Sequence, residues 1–368
     1  MQTHNAENER IKRAYFTYLK EARRLSEHSV DAVAAALAQF EQYTKYQGFK
    51  KFHIQQAIAF KRKLAERVNE KTGNPLSKRT LYTTLSALRS FFQWLAGQSS
   101  YRSRLTYADA DYFYLSEKET RIAKACSERP VPTMEQILHV LHAMPIATPI
   151  ELRNRALIAF TLLTGVRDGA IASLKLKHVD VAEGKVVQDA REVKTKFSKS
   201  FATWFFPVDD EVRQITVDWV EFLTGQMLYG GDDPLFPATR VVLGTEGQFE
   251  VAGLSRTHWS NATPIREIFK VAFTRSGLPY FNPHAFRRTL VQLGERLCQT
   301  PEEFKAWSQN LGHETVLTTF SSYGQVSSTR QANLIRQLGN PALHPMHHDA
   351  ITQAMRLLQS AYRPNGGA

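Results

Sequence analysis

The sequence predicts a mainly α-helical protein with a small antiparallel β-sheet in its second half. Most segments repeat apolar residues at helical spacing, whereas residues 184–208 alternate with a period of two and are rich in Val, Phe and Trp. Between these regions the stretch ACSERPVPT, residues 125–133, breaks the pattern with two prolines in a polar setting. With 368 residues the chain is long enough for two separate cores. The expected division is a helical domain over 1–125, a linker over 126–133, a mixed α+β domain over 134–345 and a tail over 346–368.

In the first domain VDAVAAALAQFEQYTKY places Val33, Leu37 and Phe40 on one face, and Gly48 is the expected end of that helix. IQQAIAFKRKLAERV repeats the pattern up to the turn-like KTGNP. Ser77 reads as the N-cap of KRTLYTTLSALRSFFQWLAG, whose stripe Leu81, Leu85, Leu88, Phe92, Leu95 stops at Gly97. Past the linker, MEQILHVLHAM and ELRNRALIAFTLLTG read as helices, GKVVQDAREVK and SFATWFFPV as the strands of a hairpin sheet, and VRQITVDWVEFL and ATPIREIFKVAF as helices again. In FNPHAFRRTLVQLGERL, Asn282 as N-cap and Pro283 at the first helical position start a helix with the stripe Phe286, Leu290, Leu293, Leu297. The tail DAITQAMRLLQSAY offers Asp349 as a cap and a stripe of Ile351, Met355, Leu358 and Tyr362.

Composition narrows the function. No apolar run approaches the roughly 20 residues of a membrane span, and MQTHNAENERIKR lacks a signal-peptide core, so a cytoplasmic protein without a membrane partner is expected. Cys126 and Cys298 are too few and too far apart for a disulfide framework or a thiolate metal site. His344, His347 and His348 cluster without Cys or carboxylates at ligand spacing, and no metal is expected there. The formal charge is +12; residues 1–126 hold 22 Lys+Arg against 12 Asp+Glu, the remainder 25 against 23. The excess is interleaved with aromatics in KYQGFKKFH, FKRK and SKRTLY, which suits a surface following a phosphate backbone and equally suits solvated helix faces. On the first reading Lys50, Lys51, Lys61, Arg62, Lys78 and Arg79 contact DNA.

Three stretches carry chemistry. In LLTGVRDGAIASL one helix stops at Thr164-Gly165 and another starts near Asp168, leaving Arg167 beside free amides, where an anion binds, or paired with a local carboxylate. At about 100° per residue, His284 lies nearly opposite its helix's apolar stripe and Arg287 on the flank, so both are free to converge on one ligand, unless His284 only caps the helix. In LGHETVLTTFSSYGQ a large ring, Tyr323, follows His313 by ten residues in a Ser/Thr setting that gives it no evident packing partner.

An Arg after Thr-Gly, a Lys in a β-hairpin, H-x-x-R, L-G-H and a Tyr about ten residues on, in this order, resemble the tyrosine recombinases, or phage integrases. The resemblance spans residues 131–330, and the preceding basic bundle is similar to the family's core-binding, SAM-like domain. It implies that Tyr323 attacks a scissile phosphate of double-stranded DNA, forming a 3′-phosphotyrosyl link and freeing a 5′-hydroxyl. Arg167 and Arg287 would clamp the non-bridging oxygens, His284 would take the phenol proton, and His313 would donate a hydrogen bond to the phosphate. A hairpin lysine would protonate the leaving oxygen: Lys194 first, Lys196 next, with Lys199 also in the run EVKTKFSKSF, and the others, with Arg288, as DNA contacts. The family often has an acidic residue where this chain has Ala170, and a histidine where it has Arg288. The resemblance implies no cofactor, a homotetramer on paired sites, accessory DNA-bending or directionality proteins, and nucleoid association when bound. The tail helix of residues 349–362 is the candidate protomer-to-protomer contact. A type IB topoisomerase-like relaxing enzyme and a non-catalytic DNA-binding regulator of the same fold are the alternatives.

Overall fold

A computed structural model describes residues 4–69, 73–125, 130–195, 199–244 and 247–313. The expected tail, together with Tyr323, Lys196, Cys126 and the 344–348 histidines, lies outside these residues. The chain divides into two compact units, Met1–Ala125 and Cys126–Ala368.

The first unit is helical: α1 (Ala6–Thr17), α2 (Glu27–Tyr43), α3 (Ile54–Glu66), α4 (Lys78–Ala96) and α5 (Glu117–Lys124), with short 3₁₀ and π turns between them. Each start has a local cause. Asn5 accepts from the amides of Glu7 and Asn8, and Ser26, Ser77 and Ser116 each accept from the amide three residues on. α4 runs from Ser77 to Gly97 as its sequence predicts. α2 does not reach Gly48: it ends at Tyr43, and Lys45 and Tyr46, both left-handed, turn the chain, while Gly48 is extended ahead of a 3₁₀ turn. α1 carries no pronounced apolar stripe and was not expected from the sequence; it buries Asn8 and Tyr15.

The core of this unit is aromatic. Phe40 meets Phe60, Phe92 and Phe113 edge-on at 5.2, 5.4 and 5.6 Å, and Phe52 lies 4.2 Å from Phe92. At about 1.5–3 kcal/mol per buried ring, these contacts dominate its stability. A polar staple crosses it: Asn8 Nδ2 donates to Glu41 Oε1 at 3.0 Å and to the Gln47 carbonyl at 3.1 Å, Phe49 N donates to Asn8 Oδ1 at 2.9 Å, and Lys12 donates to Glu41 Oε2 at 2.5 Å.

The second unit comprises α6 (Met134–Ala143), α7 (Pro149–Thr164), α8 (Asp168–Ile171), strands β1 (Val179–Asp180), β2 (Lys185–Gln188) and β3 (Phe201–Trp204), α9 (Asp210–Glu221), strands β4 (Thr239–Leu243) and β5 (Phe249–Leu254), α10 (Thr263–Arg275), α11 (Pro283–Leu297) and α12 (Pro301–Asn310). α7 is apolar on all sides and is buried from Ala156 to Thr164, so the domain packs around it. β1, β2 and β3 form an antiparallel sheet with Val186 opposite Thr203, in the region where the alternation predicts one. The β4–β5 hairpin was not anticipated, although RVVLGTEGQFEV alternates around a Gly-bearing turn. One of its faces pairs Val241 with Val251 and Leu243 with Phe249, all exposed.

Candidate active site

The site begins where α7 ends. Gly165 adopts φ +60°, and a Cβ there would lie 2.9 Å from Leu311 Cδ2 and 3.0 Å from Leu290 Cδ1, so glycine is required both for the left-handed turn and for the fit. The turn delivers Arg167 in extended conformation as the residue capping α8. Ala170, where the tyrosine recombinases often carry an acidic residue, is 2% exposed within the apolar core.

α11 starts at Asn282, whose side chain accepts from Ala285 N, with Pro283 in the first turn. Phe286 and Leu290 are buried as the stripe predicts, Leu293 is partly buried, and Leu297 is largely exposed. Arg287, expected on the flank of the stripe, is instead 2% exposed. Its Nη1 donates to the Gly165 carbonyl, and its Nη2 to the Leu311 carbonyl at 2.5 Å and to His313 Nε2 at 3.0 Å. A guanidinium can only donate, so His313 Nε2 accepts in this contact and the proton of the neutral ring sits on Nδ1. This geometry joins the Thr-Gly-x-Arg, H-x-x-R and L-G-H motifs across 122 and 26 residues of chain.

His313 is held from behind. Gly312 has φ +68° and packs against Phe201, where a Cβ would stand 2.6 Å from Cζ. Asn310 Oδ1 accepts from Trp204 N at 2.7 Å, its Nδ2 donates to the Trp204 carbonyl at 2.9 Å, and its own carbonyl accepts from Thr203 Oγ1 at 3.1 Å, binding the end of α12 to β3. Trp307 Nε1 donates to the Leu290 carbonyl at 2.9 Å, which ties α12 to α11.

His284 keeps an edge open to solvent, yet the protein crowded around it and the guanidiniums of Arg287, Arg167 and Arg288 push its pKa down to about 4, against a smaller opposing pull from Asp168. The imidazole is therefore neutral near pH 7 and able to accept a proton. Lys194 lies in the connection between β2 and β3; its amide donates to Ser173 Oγ at 2.9 Å, and its Nζ lies 3.4 Å from the Ser260 carbonyl. Ser173 in turn donates to the Ala170 carbonyl, so the lysine is fixed to the segment that follows Arg167. Ser260 and the neighbouring His258, whose pKa is lowered by burial and by Lys175, escaped sequence reasoning because they lie in an irregular loop with no motif.

The expected DNA contacts divide. Lys50 pairs with Glu7 at 2.5 Å, Lys78 with Glu119 at 2.7 Å, and Lys61 donates to the carbonyls of Tyr112 and Tyr114 at 3.0 and 2.8 Å, so these three have structural work within the first unit. Lys51, Arg62 and Arg79 are exposed, and Lys199 and Arg288 are half-buried in the second unit. Among the described residues no group of His, Cys, Asp and Glu is placed to hold a metal ion, and no helix is long and apolar enough to cross a membrane.

Residues 13–99 match the model for the phage integrase N-terminal SAM-like domain, and residues 131–330 match that for the phage integrase family. Tyrosine recombinase XerC of Halalkalibacterium halodurans is 23% identical over 331 residues, covering 90% of this chain and 97% of that protein. Tyrosine recombinase XerD of Pasteurella multocida is 23% identical over 314 residues, covering 85% and 92%. The same fold appears in the XerH site-specific recombinase bound to a palindromic difH substrate, with a TM-score of 0.57, 17% identity and 89% and 85% coverage. It appears again in a lambda integrase dimer bound to a core site, with a TM-score of 0.57, 13% identity and 84% and 93% coverage. With its family model spanning more than half of its length and its motifs drawn together around Arg287, the chain belongs to the phage integrase family, the tyrosine recombinases.

Proposed function

We propose that this recombinase cleaves and rejoins double-stranded DNA at a defined site, with Tyr323 as nucleophile. The observation that carries the reading is the meeting of Arg287, Gly165, Leu311 and His313, with Arg167 and His284 close enough to feel one another's charge. Arg167 and Arg287 hold the non-bridging oxygens of the scissile phosphate and offset the charge that grows as a fifth ligand enters. A phenol of pKa about 10 is mostly protonated at neutrality, so neutral His284 takes its proton as the oxygen attacks. The phosphorus–Tyr323 oxygen bond forms, the bond to the 5′-oxygen breaks, and Lys194 supplies the proton that makes this oxygen a hydroxyl. One phosphodiester replaces another, so a 5′-hydroxyl from a second strand reverses the step with no external energy source, and no cofactor is called for.

Exchange between two duplexes takes four cleavages, which a homotetramer on paired sites provides. We assign the tail segment of residues 349–362 to contact between protomers, residues 1–125 and 134–345 to the two DNA-binding faces, and the cytoplasm to the protein. Accessory DNA-bending or directionality proteins would set the outcome.

A nicked suicide duplex, made from DNA flanking the protein's own gene, tests the reading. The wild type is expected to become covalently attached, and Tyr323→Phe to bind without attachment. Equal adduct from both proteins removes Tyr323 from the mechanism, and relaxation of an arbitrary supercoiled plasmid without any site dependence points to a topoisomerase-like activity.

A further inference from the structure

We infer that Asp168, gripped by Arg266 of α10, is a positioning residue of this centre: it fixes the backbone at Arg167 and sets a negative charge against the guanidiniums around His284. The inference rests on the roles given to Arg167 and His284 above. Asp168 Oδ2 accepts from Arg266 Nε at 2.7 Å, and Oδ1 accepts from Gly169 N at 2.9 Å, so both oxygens are engaged. The acid side chain is 24% exposed and the arginine 57%. A pair this open adds at most about 1 kcal/mol to stability, so its significance lies in what it adjoins.

It adjoins two things. α8 is four residues long, too short to hold its own start in place, and Asp168 is its first residue. Arg167 therefore sits between two tethers, the Gly165 carbonyl bound by Arg287 on one side and Asp168 bound to α10 on the other. The second neighbour is the imidazole. His284 lies within electrostatic reach of Arg287 and Arg288 of its own helix, of Arg167 from the α7–α8 connection, and of the carboxylate of Asp168. Tyr280, just before α11, is within electrostatic reach of both Arg266 and Asp168. Position 170 supplies no carboxylate in this chain, where Ala170 is 2% exposed in the apolar core. The chain meets the need two residues earlier, from the helix edge.

Two variants separate this electrostatic role from simple support. Asp168→Asn keeps the shape and removes the negative charge; Arg266→Gln removes the charge that partly cancels Asp168. The His284 ring is titrated by NMR in the full-length protein, and single-turnover cleavage of the suicide duplex is followed against pH. The titration midpoint is expected to fall by about half a pH unit in Asp168→Asn and to rise by a similar amount in Arg266→Gln. The acid limb of cleavage should move the same way, with Asp168→Asn about 10-fold slower at neutral pH because the weaker base and the loosened Arg167 act together. Mere loosening would drive both midpoints up, towards the ordinary histidine value; that result, or no movement in Asp168→Asn, overturns the inference. Opposite midpoint shifts with a stationary acid limb would uphold the placement of Asp168 and remove His284 as the proton acceptor.

Discussion

The two units each bury a charged cluster, and they complete it differently. In the helical unit Glu41, 1% exposed, is matched by Lys12 and by the Asn8 amide, so the charge is cancelled inside. In the second unit the partners that orient Arg287 include two carbonyls and an imidazole. An ion pair holds its members by opposite charge, whereas carbonyl and imidazole contacts aim a guanidinium by direction. Arg153 marks the boundary of that rule. It is 3% exposed, held by the Pro237 carbonyl, Thr239 and Asn154 and by the Trp259 ring, and burial lowers its pKa to about 10. No histidine is among these partners, so dipolar anchoring alone does not make a site.

The comparison breaks or sharpens under three substitutions. The largest effect belongs to Arg287→Ala, which should slow suicide-duplex cleavage by about 10³-fold or more, in line with removing one donor from an oxyanion-binding site. Next is Glu41→Ala, which removes the acceptor that Lys12 and Asn8 share and leaves Lys12 to Glu9 and Asn8 to the Gln47 carbonyl; it should cost about 2 kcal/mol in urea denaturation of the first unit while cleavage by the bound, folded protein stays within about twofold. A comparable loss of cleavage from Glu41→Ala at saturating protein would erase the distinction between the two clusters. The smallest effect is expected from Arg62→Ala on the exposed face of α3, a uniform weakening of DNA binding by about 1 kcal/mol with the salt slope reduced by about one.

Local signals in the sequence account for much of this molecule. Ser77 and Gly97 bracket α4, and Asn282-Pro283 starts α11, because caps act on their own neighbours and need no tertiary context. The motif residues were legible for the same reason: Gly165 and Gly312 stand where left-handed backbone and close contact admit no side chain. What could not be read is long-range. The burial of Arg287 depends on carbonyls 122 and 24 residues away, and the interior place of Glu41 depends on α1, a helix without an apolar stripe to announce it. Gly48 misled because a glycine after a helical pattern usually ends it, whereas Lys45 and Tyr46 took the left-handed positions. The β4–β5 hairpin had alternation and a turn, but short strands compete poorly with helix signals when nothing local says which face is covered.

The stapling of Asn310 to β3 and of Trp307 to α11 makes His313 a fixed mooring from which the rest of the chain departs. Ten residues separate it from Tyr323 in the sequence, and no chain of that length spans more than about 35 Å. On the proposed mechanism that span sets an outer limit on how far from His313 a phosphate attacked by the same subunit's Tyr323 can stand.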